Sequence, residues 1–384
     1  MVLLEYIFLR IAVFLTRGGS LQVWEQKGIL LRELQIYKEL KKHGIHTTLI
    51  TYGENSQKDF ESVLGNIEVC YNNFKLPLRI YEKMIPWLHR KALQKVNLIK
   101  TNQTNGSLAA LRASKIWKKP LLSRCGYLWS EFAERDFGID AVMTQKAINT
   151  ENKVFSESAA NVFTTQDMLN SAADRIKNMS DSYVIPNFVD SESFVNDSQT
   201  EFTTDVLFIG RFENQKNLFS LLEAVRLLDC SITLIGNGTL QNELKDYLEK
   251  NISDYSLIDS VPHVEISRYM KSSKIFVLPS FFEGHPKVLL EAMSCGMSVV
   301  GSNVPGIRNV IDHEKTGLLC GTDTDDIKDA IHRLFIDHEL RAVLGRNARE
   351  YIEKNCSLYA VSKMESKLME IIVQPTNDNS KNND

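Results

Sequence analysis

A chain of 384 residues is longer than one hydrophobic core usually serves, so we expect two domains. Apolar residues make up 43% and charged residues 24% of the chain, which is ordinary for a globular protein and excludes a disordered one. The net charge of −3 gives no indication of nucleic-acid binding.

The six cysteines are scattered, without the paired spacing of a metal or redox site, so we expect reduced thiols in a cytoplasmic protein. Glu5 and Arg10 interrupt the apolar N-terminus, and no small-residue cleavage site follows, which argues against a signal peptide. Residues 1–9 are either a short helix that touches a membrane or an irregular lead-in. No other run approaches the ~20 apolar residues of a membrane span.

A strand, loop, helix, strand pattern opens the chain. Its parts are an apolar run at residues 11–15, a loop with Gly18, Gly19 and Ser20, helical spacing from about 29 to 43, and a second strand at 47–52. This order is typical of a Rossmann-like domain. A Gly-Gly pair alone is equally consistent with an ordinary tight turn.

Residues 75–119 carry eleven basic side chains against a single acid, Glu82, with Tyr81 and Trp87 among them. Such a stretch either lies on an anionic membrane surface or forms a solvated helix face. It matches no nucleic-acid-binding module, so we expect no nucleic-acid partner. The localisation that follows is cytoplasmic, with peripheral attachment to the inner face of the membrane left open.

Residues 119–127 predict a strand followed by a loop. Ligands of parallel sheets bind at the carboxyl ends of the strands, so Arg124 and Tyr127 are candidates for contacting substrate. Another short strand is predicted at 162–165. The polar, aperiodic residues 191–204 predict a linker.

The second half of the chain repeats the strand, loop, helix pattern. The first strand, 206–209, is followed by Gly210, Arg211, a loop with Lys216 and a helix at 218–228; the next strand, 231–235, is followed by Gly236, Asn237 and Gly238. Arg211 and Lys216 flank one loop, and two cations at this spacing are by themselves weak evidence for a ligand. A Gly-x-Gly alone is weak evidence for a ligand loop.

Residues 276–319 predict a strand, a loop, a helix and a second strand, which is the repeating unit of a parallel α/β sheet. Glu283 lies in the loop and Glu291 eight positions later in the helix, among Leu289, Leu290 and Met293. A buried carboxylate in that stripe is costly, and a ligand with hydroxyl donors would offset the cost. Otherwise Glu283 caps the helix and Glu291 is a solvated residue. The helix N-terminus itself suits phosphate.

The run from Asp323 to Asp326 has the spacing of an Asp-x-Asp metal motif. It directly precedes an apolar helix at 327–334, so we expect these acids to cap that helix and expect no metal site. Two further helices are predicted at about 339–355 and 358–372, followed by a polar tail that we expect to be disordered.

Residues 276–319 resemble the signature of the family 4 retaining glycosyltransferases, which have the GT-B fold, and their Glu-x7-Glu pattern matches Glu283 and Glu291. The resemblance is strongest over 206–319 and weaker over 11–194. It implies an α/β protein with two Rossmann-like domains facing across a cleft. The implied parts are an acceptor-side domain at 1–190, a linker at 191–204, a nucleotide-sugar domain at 205–356, a C-terminal helix at 357–373 that returns to the first domain, and a tail at 374–384.

The resemblance also implies roles for individual residues. Arg211 and Lys216 would hold the pyrophosphate, Glu291 the ribose hydroxyls and Glu283 the sugar, with Arg211, Lys216 and Glu283 as the catalytic set. The other implied donor-binding residues are Gly18, Gly19, Gly236, Asn237, Gly238, His263, Gly284, His285, Lys287 and Val288, and the acceptor-side candidates are Ser20, Arg124 and Tyr127. Many relatives carry a histidine in a first-domain loop, which cannot be placed in this sequence.

The implied activity is metal-independent, retaining transfer of a sugar from a UDP- or GDP-sugar to a hydroxyl of a sugar or lipid-linked acceptor, with no cofactor. Polysaccharide, lipopolysaccharide or glycolipid assembly is the implied setting. Two alternatives are a nucleotide-sugar epimerase on the same fold and a non-catalytic nucleotide-sugar-binding module.

Overall fold

The computed structural model describes residues 8–54, 60–194 and 202–374, and these form two compact α/β units. The first unit holds the described residues up to 163, residues 169–185 and residues 362–374; the second holds residues 164–168 and the described part of 186–361. Three predicted segments lie partly or almost wholly outside the described residues, namely the N-terminal lead-in, the linker and the tail.

The first unit contains a seven-stranded parallel sheet in the order β3-β2-β1-β4-β5-β6-β7. Its strands are β1 (Leu9–Phe14), β2 (Ile45–Ile50), β3 (Glu68–Cys70), β4 (Leu98–Thr101), β5 (Leu121–Cys125), β6 (Ala160–Phe163) and β7 (Ser182–Val184). Its helices are α1 (Leu21–Gln26), α2 (Leu30–Lys42), α3 (Glu61–Leu64), α4 (Leu78–Leu88), α5 (Arg90–Lys95), α6 (Ser107–Trp117), α7 (Trp129–Phe137), α8 (Val142–Glu157) and α9 (Gln166–Arg175), whose first residues belong to the second unit.

The central strands are apolar along nearly their whole length because helices cover both faces of a parallel sheet. In β1, for example, Ile11, Val13 and Phe14 are all buried. The strand predicted at 162–165 begins two residues earlier, as β6, and ends at Phe163. Such small displacements of element ends reflect hydrogen bonding to a neighbouring strand, which the local apolar pattern does not encode.

Chain order reverses in this sheet between β1 and β4, since β2 and β3 extend it on one side and β5 to β7 on the other. The loops that leave β1 and β4 therefore run in opposite directions, which opens a crevice at the carboxyl edge of the sheet. Inside that crevice Arg17 donates its backbone N–H to the carbonyl oxygen of Asn105 at 3.1 Å.

The second unit contains a six-stranded parallel sheet in the order β10-β9-β8-β11-β12-β13. Its strands are β8 (Thr204–Ile209), β9 (Ile232–Ile235), β10 (Tyr255–Ile258), β11 (Ser273–Leu278), β12 (Ser298–Ser302) and β13 (Leu318–Cys320). Its helices are a short 3₁₀ turn (Asn214–Lys216), α10 (Leu218–Leu228), α11 (Gln241–Asn251), α12 (His263–Lys271), α13 (Lys287–Ser294), α14 (Thr324–Ile336), α15 (His338–Asn355) and the start of α16 (Leu358–Val373).

The predicted cap before α14 is confirmed, because the Asp323 carboxylate accepts a hydrogen bond from the backbone N–H of Asp326 at 3.0 Å. A carboxylate at this position also faces the positive end of the helix dipole. The acids of this run are therefore explained by helix capping.

Helix α16 begins in the second unit, and from residue 362 onward it belongs to the first. There its Glu365 carboxylate lies 2.5 Å from the Lys100 ammonium of β4 and 3.3 Å from the Arg124 guanidinium of β5. The three side chains are 3%, 4% and 10% exposed, so this is a buried ion cluster. We call it the α16 triad.

Candidate functional site

Chain order in the second sheet reverses between β8 and β11, so the loops after these two strands flank the crevice where α/β proteins bind ligands. Backbone and side chain hold the loops together. Phe281 donates its N–H to the carbonyl oxygen of Gln215 at 2.9 Å, and the Gln215 side-chain amide donates to the carbonyl oxygen of Phe282 at 2.7 Å. The two loops therefore form one continuous surface.

Asn217 ends the first of these loops with a positive φ of 53°, a conformation that asparagine tolerates better than most residues. Its buried amide donates to the carbonyl oxygens of Pro279, at 3.2 Å, and Thr322, at 2.7 Å. No role was predicted for this residue. Its only sequence signal was its place beside Lys216.

Lys216 and Glu283 form a short ion pair between the two loops, with side chains 10% and 9% exposed. Lys216 is largely buried because the 3₁₀ turn places its side chain against the loop that carries Glu283. Glu283 does not cap α13. The N-cap of that helix is Pro286, and within the described residues no side chain caps it. The pair places a cation and a carboxylate together at the crevice of this unit.

Arg211 follows β8 and Gly210 and is exposed. Its predicted companion Lys216 is buried, so the two cations on this loop have different environments. An exposed guanidinium can reorient toward a phosphate, whereas the Lys216 ammonium is held in place by Glu283.

The loop after β9 lies against the loop after β8 because two glycines permit it. A Cβ at Gly236 (φ +149°) would lie 1.8 Å from the carbonyl oxygen of Gly210, and one at Gly238 would lie 2.4 Å from that of Phe212. Any side chain at either position would force the loops apart. Asn237, between them, is exposed.

Glu291 is the fifth residue of α13 and is only 2% exposed. Its Oε1 lies 2.8 Å from Nε2 of His263, the first residue of α12. The sequence led us to expect that a ligand would supply the partner of this buried carboxylate, but the chain itself supplies one. The sequence placed these two residues in separate predicted contacts and gave no sign of their pairing.

The first turn of α13 is fixed by the segment that precedes β8. Asn187 donates its side-chain amide to the carbonyl oxygen of His285 at 2.8 Å, and the Lys287 ammonium lies 4.8 Å from the ring centroid of Phe188. His285 is buried, while Lys287 and Val288 are half-buried. The N-terminus of α13, with its positive dipole end, is thus held in place shortly after Glu283 in the chain.

The loop after β12 closes on the same region. Gly306 has a φ of +87°, and a Cβ there would lie 2.2 Å from the carbonyl oxygen of Gly284. The loops after the four adjacent strands β9, β8, β11 and β12 are therefore packed at the carboxyl edge of the sheet, where Arg211, Lys216 and Glu283 lie. This is an arrangement suited to an elongated ligand that carries both phosphate and hydroxyl groups.

The predicted residues of the first unit lie at the edge of its own sheet. Gly18, with φ +77°, and Gly19 follow β1, and the Ser20 hydroxyl caps α1 by accepting from the N–H of Val23 at 3.2 Å. Tyr127 follows β5 and is half-buried. The roles of these residues stay predictions.

Arg124 was interpreted as a candidate for contacting substrate from a loop. It lies instead within β5, is buried, and is committed to Glu365 in the α16 triad. The apolar run that predicted the strand gave no indication of a partner 241 residues further along the chain.

Comparison with known proteins finds similarity to glycosyltransferases. Residues 190–351 match the family model described as glycosyl transferases group 1. An uncharacterized glycosyltransferase of Methanocaldococcus jannaschii is 25% identical over 347 residues, which cover 85% of this chain and 90% of that protein. A UDP-Gal:alpha-D-GlcNAc-diphosphoundecaprenol alpha-1,3-galactosyltransferase of Escherichia coli is 28% identical over 216 residues, covering 50% of this chain and 54% of that protein.

Among solved structures, HepE of Anabaena in complex with UDP-glucose aligns with a TM-score of 0.74 at 15% identity, covering 94% of this chain and 100% of that one. At this identity the likeness concerns the fold, and it confirms the predicted GT-B fold. In the described part of the chain, none of the helices combines the length and hydropathy needed to cross a bilayer.

Proposed function

We propose that this chain is a glycosyltransferase of the glycosyl transferases group 1 family that uses a nucleotide-sugar donor. It transfers the sugar to an acceptor hydroxyl with retention of configuration and without a metal ion. The observation that carries the proposal is the pair of joined loops at the β8/β11 crevice, which carry the exposed Arg211 and the Lys216–Glu283 ion pair. The pathway we propose is polysaccharide, lipopolysaccharide or glycolipid assembly. The E. coli relative, which is named as a galactosyltransferase for a diphosphoundecaprenol-linked sugar, supports it.

Departure of a nucleoside diphosphate leaves negative charge that must be stabilised as the sugar bond breaks. In this proposal Arg211 and Lys216 supply that stabilisation, in place of a divalent ion, and the N-terminus of α13 adds the positive end of its dipole. Glu283, hydrogen-bonded to Lys216, holds the sugar and orients the ammonium. The acceptor hydroxyl attacks the sugar from the same face that the diphosphate leaves, and the leaving phosphate assists this step. The anomeric configuration of the sugar is therefore retained.

A panel of UDP- and GDP-sugars tests the proposal, with release of nucleoside diphosphate as the readout. We expect one donor class to be cleaved, with turnover unchanged in excess EDTA and with the anomeric configuration of the product, read by NMR, the same as in the donor. Loss of turnover in EDTA that Mg²⁺ restores would contradict metal independence. Conversion of the donor to another nucleotide-sugar without release would indicate an epimerase instead.

We propose that Glu291 binds the ribose hydroxyls. A carboxylate can accept two hydrogen bonds from vicinal hydroxyls, and each bond to a charged group contributes about 1.5–3 kcal/mol. Glu291→Gln keeps one acceptor oxygen and can keep the contact with His263, but it loses the charge. We expect at least tenfold weaker binding of the free nucleoside diphosphate in a calorimetric titration.

Glu283→Gln is the matched control for this titration. Free nucleoside diphosphate has no sugar for Glu283 to hold, so we expect this variant to lose sugar transfer while it retains nucleotide affinity. His263→Gln adds a second control, since it should reproduce part of the Glu291 effect if the pair acts together. The reverse result, with affinity lost in Glu283→Gln and kept in Glu291→Gln, would mean that the two roles were exchanged.

We also propose peripheral attachment to an anionic membrane through α4. Ile80, Met84 and Trp87 are 50%, 39% and 47% exposed, and their spacing of four and three residues places them on one helix face. Arg79 and Lys83 are exposed beside them. An apolar stripe flanked by cations is the pattern of a helix that lies in a lipid interface.

Binding to vesicles with anionic lipid should therefore weaken as salt rises and fall several-fold in Ile80→Ser/Trp87→Ser. The control is Leu31→Ser, which removes an equally exposed apolar side chain, 51%, from α2. Equal binding to neutral and anionic vesicles, or equal binding by the α4 variant and the control, would contradict this surface.

A further inference from the structure

Two adjoining cavities of about 750 and 230 Å³ lie wholly within the first unit. Both are lined by Leu108 and Arg112 of α6 and by Lys146 and Thr150 of α8, so they form one continuous depression between these helices. We call it the α6–α8 groove. Neither its lining nor its position is part of the nucleotide site described above.

The narrower end of the groove reaches the crevice of the first sheet. Arg17, which follows β1, and Asn105 and Gly106, which follow β4, line it there. A Cβ at Gly106 would lie 2.8 Å from the backbone nitrogen of Arg17, so the two loops are in direct contact at this point. The groove therefore ends where the order of strands reverses, which is the place where α/β sheets receive their ligands.

The groove has a strong excess of positive charge. Among the residues that line it, seven are lysine or arginine, and two, Glu82 and Asp140, are acidic. Glu82 is already engaged, since its carboxylate accepts from Nε of Arg17 at 2.8 Å. Its backbone carbonyl accepts from the Arg112 guanidinium at 3.0 Å. A groove of this composition would bind an anion with several oxygens.

The wider end of the groove adds apolar surface. Leu108, Leu111 and Val142 line it, and Val142 is 86% exposed. Exposed aliphatic side chains beside a cluster of cations fit a ligand that carries an apolar chain as well as a charged group. A free sugar or a free phosphate would leave this surface in contact with water.

We propose that the α6–α8 groove binds the acceptor, and that the acceptor is an amphiphile whose phosphate or diphosphate is attached to an apolar chain. The phosphate lies among Arg17, Arg112 and Lys146, and the chain follows Leu108 and Val142 along the wider end. That this ligand is the acceptor rests on the proposed glycosyl transfer, whereas the binding of a lipid phosphate in the groove does not depend on it. The groove thereby gives the chemical class of the acceptor, which the residues of the donor site do not specify.

The test is a calorimetric titration of the full chain with dodecyl phosphate below its micelle concentration, beside dodecyl maltoside and inorganic phosphate. We expect dodecyl phosphate to bind at least tenfold more tightly than either comparison ligand. Lys146→Gln/Lys153→Gln should weaken it about tenfold, because two groove cations are removed. Lys27→Gln/Lys177→Gln removes two exposed cations of the same unit outside the groove and should bind as the wild type does.

Equal binding of dodecyl maltoside would overturn the role of the phosphate, and equal binding of inorganic phosphate would overturn the role of the chain. Unchanged affinity in the groove variant would move the site elsewhere and also overturn the proposal. Titration of each variant with UDP and GDP separates this outcome from failure of the proposed function, since Arg211, Lys216 and Glu291, to which we assign the diphosphate and the ribose, lie in the second unit. Retained nucleotide binding without dodecyl phosphate binding would reject the groove alone.

Discussion

Arg211→Ala is expected to lower turnover by about a hundredfold or more, the usual consequence of losing one preorganised group that stabilises developing charge. The side chain is exposed, so its removal should leave the stability of the fold nearly unchanged. Turnover with a saturating nucleotide-sugar is the measurement, with thermal unfolding as the check on folding. Arg268→Ala, an exposed arginine on the last turn of α12, is the matched control and should retain activity.

Lys216→Ala should reduce turnover as strongly, but it also leaves the carboxylate of Glu283 without its partner in a largely buried place. A loss of activity in this variant could therefore come from misplacement of the loop. Lys216→Ala/Glu283→Gln removes the unpaired charge and should recover stability without recovering turnover. Near-normal turnover in both Arg211→Ala and Lys216→Ala would reject the assignment of these cations to the diphosphate.

The second large effect is expected in the α16 triad, where Glu365→Gln should destabilise the protein by about 3–5 kcal/mol. Removal of one partner from a buried ion cluster leaves uncompensated charge, here the ammonium of Lys100 and the guanidinium of Arg124. Chemical denaturation followed by circular dichroism measures the change. Glu370→Gln, on the same helix but less buried, is the control and should cost well under 1 kcal/mol.

The same cluster predicts a dependence of stability on pH. Burial raises the pKa of the Glu365 carboxyl, but Lys100 and Arg124 lower it by more, so it lies below the ordinary value of 4.5. A carboxyl whose pKa is depressed by folding adds stability above its unfolded pKa and loses it as pH falls through the folded value. The stability difference between the wild type and Glu365→Gln should thus be constant near neutrality and shrink below about pH 4.5. A difference that grows on acidification would contradict the triad.

The order of strands and helices could be predicted from the sequence because it depends on neighbours in the chain. Apolar runs and helical spacing predicted β8, α10 and β11, and the capping of α14 was predicted from a run of acids directly before an apolar helix. Glycines also carried local information, since Gly236 and Gly238 come directly after a strand. The family resemblance then related the Glu-x7-Glu spacing to a fold and a reaction.

Partners that lie far apart in the chain were decided only by the tertiary structure. Lys216 meets Glu283 across 67 positions, His263 meets Glu291 across 28, and Arg124 meets Glu365 across 241. Each pair forms because parallel strands or helices bring two elements side by side, and that adjacency follows the order of strands in the sheet, which no local pattern encodes. The sequence by itself therefore determined the elements and the residue types at the crevice. The packing of those elements decided which charges are buried, which are paired, and which remain exposed to meet a ligand.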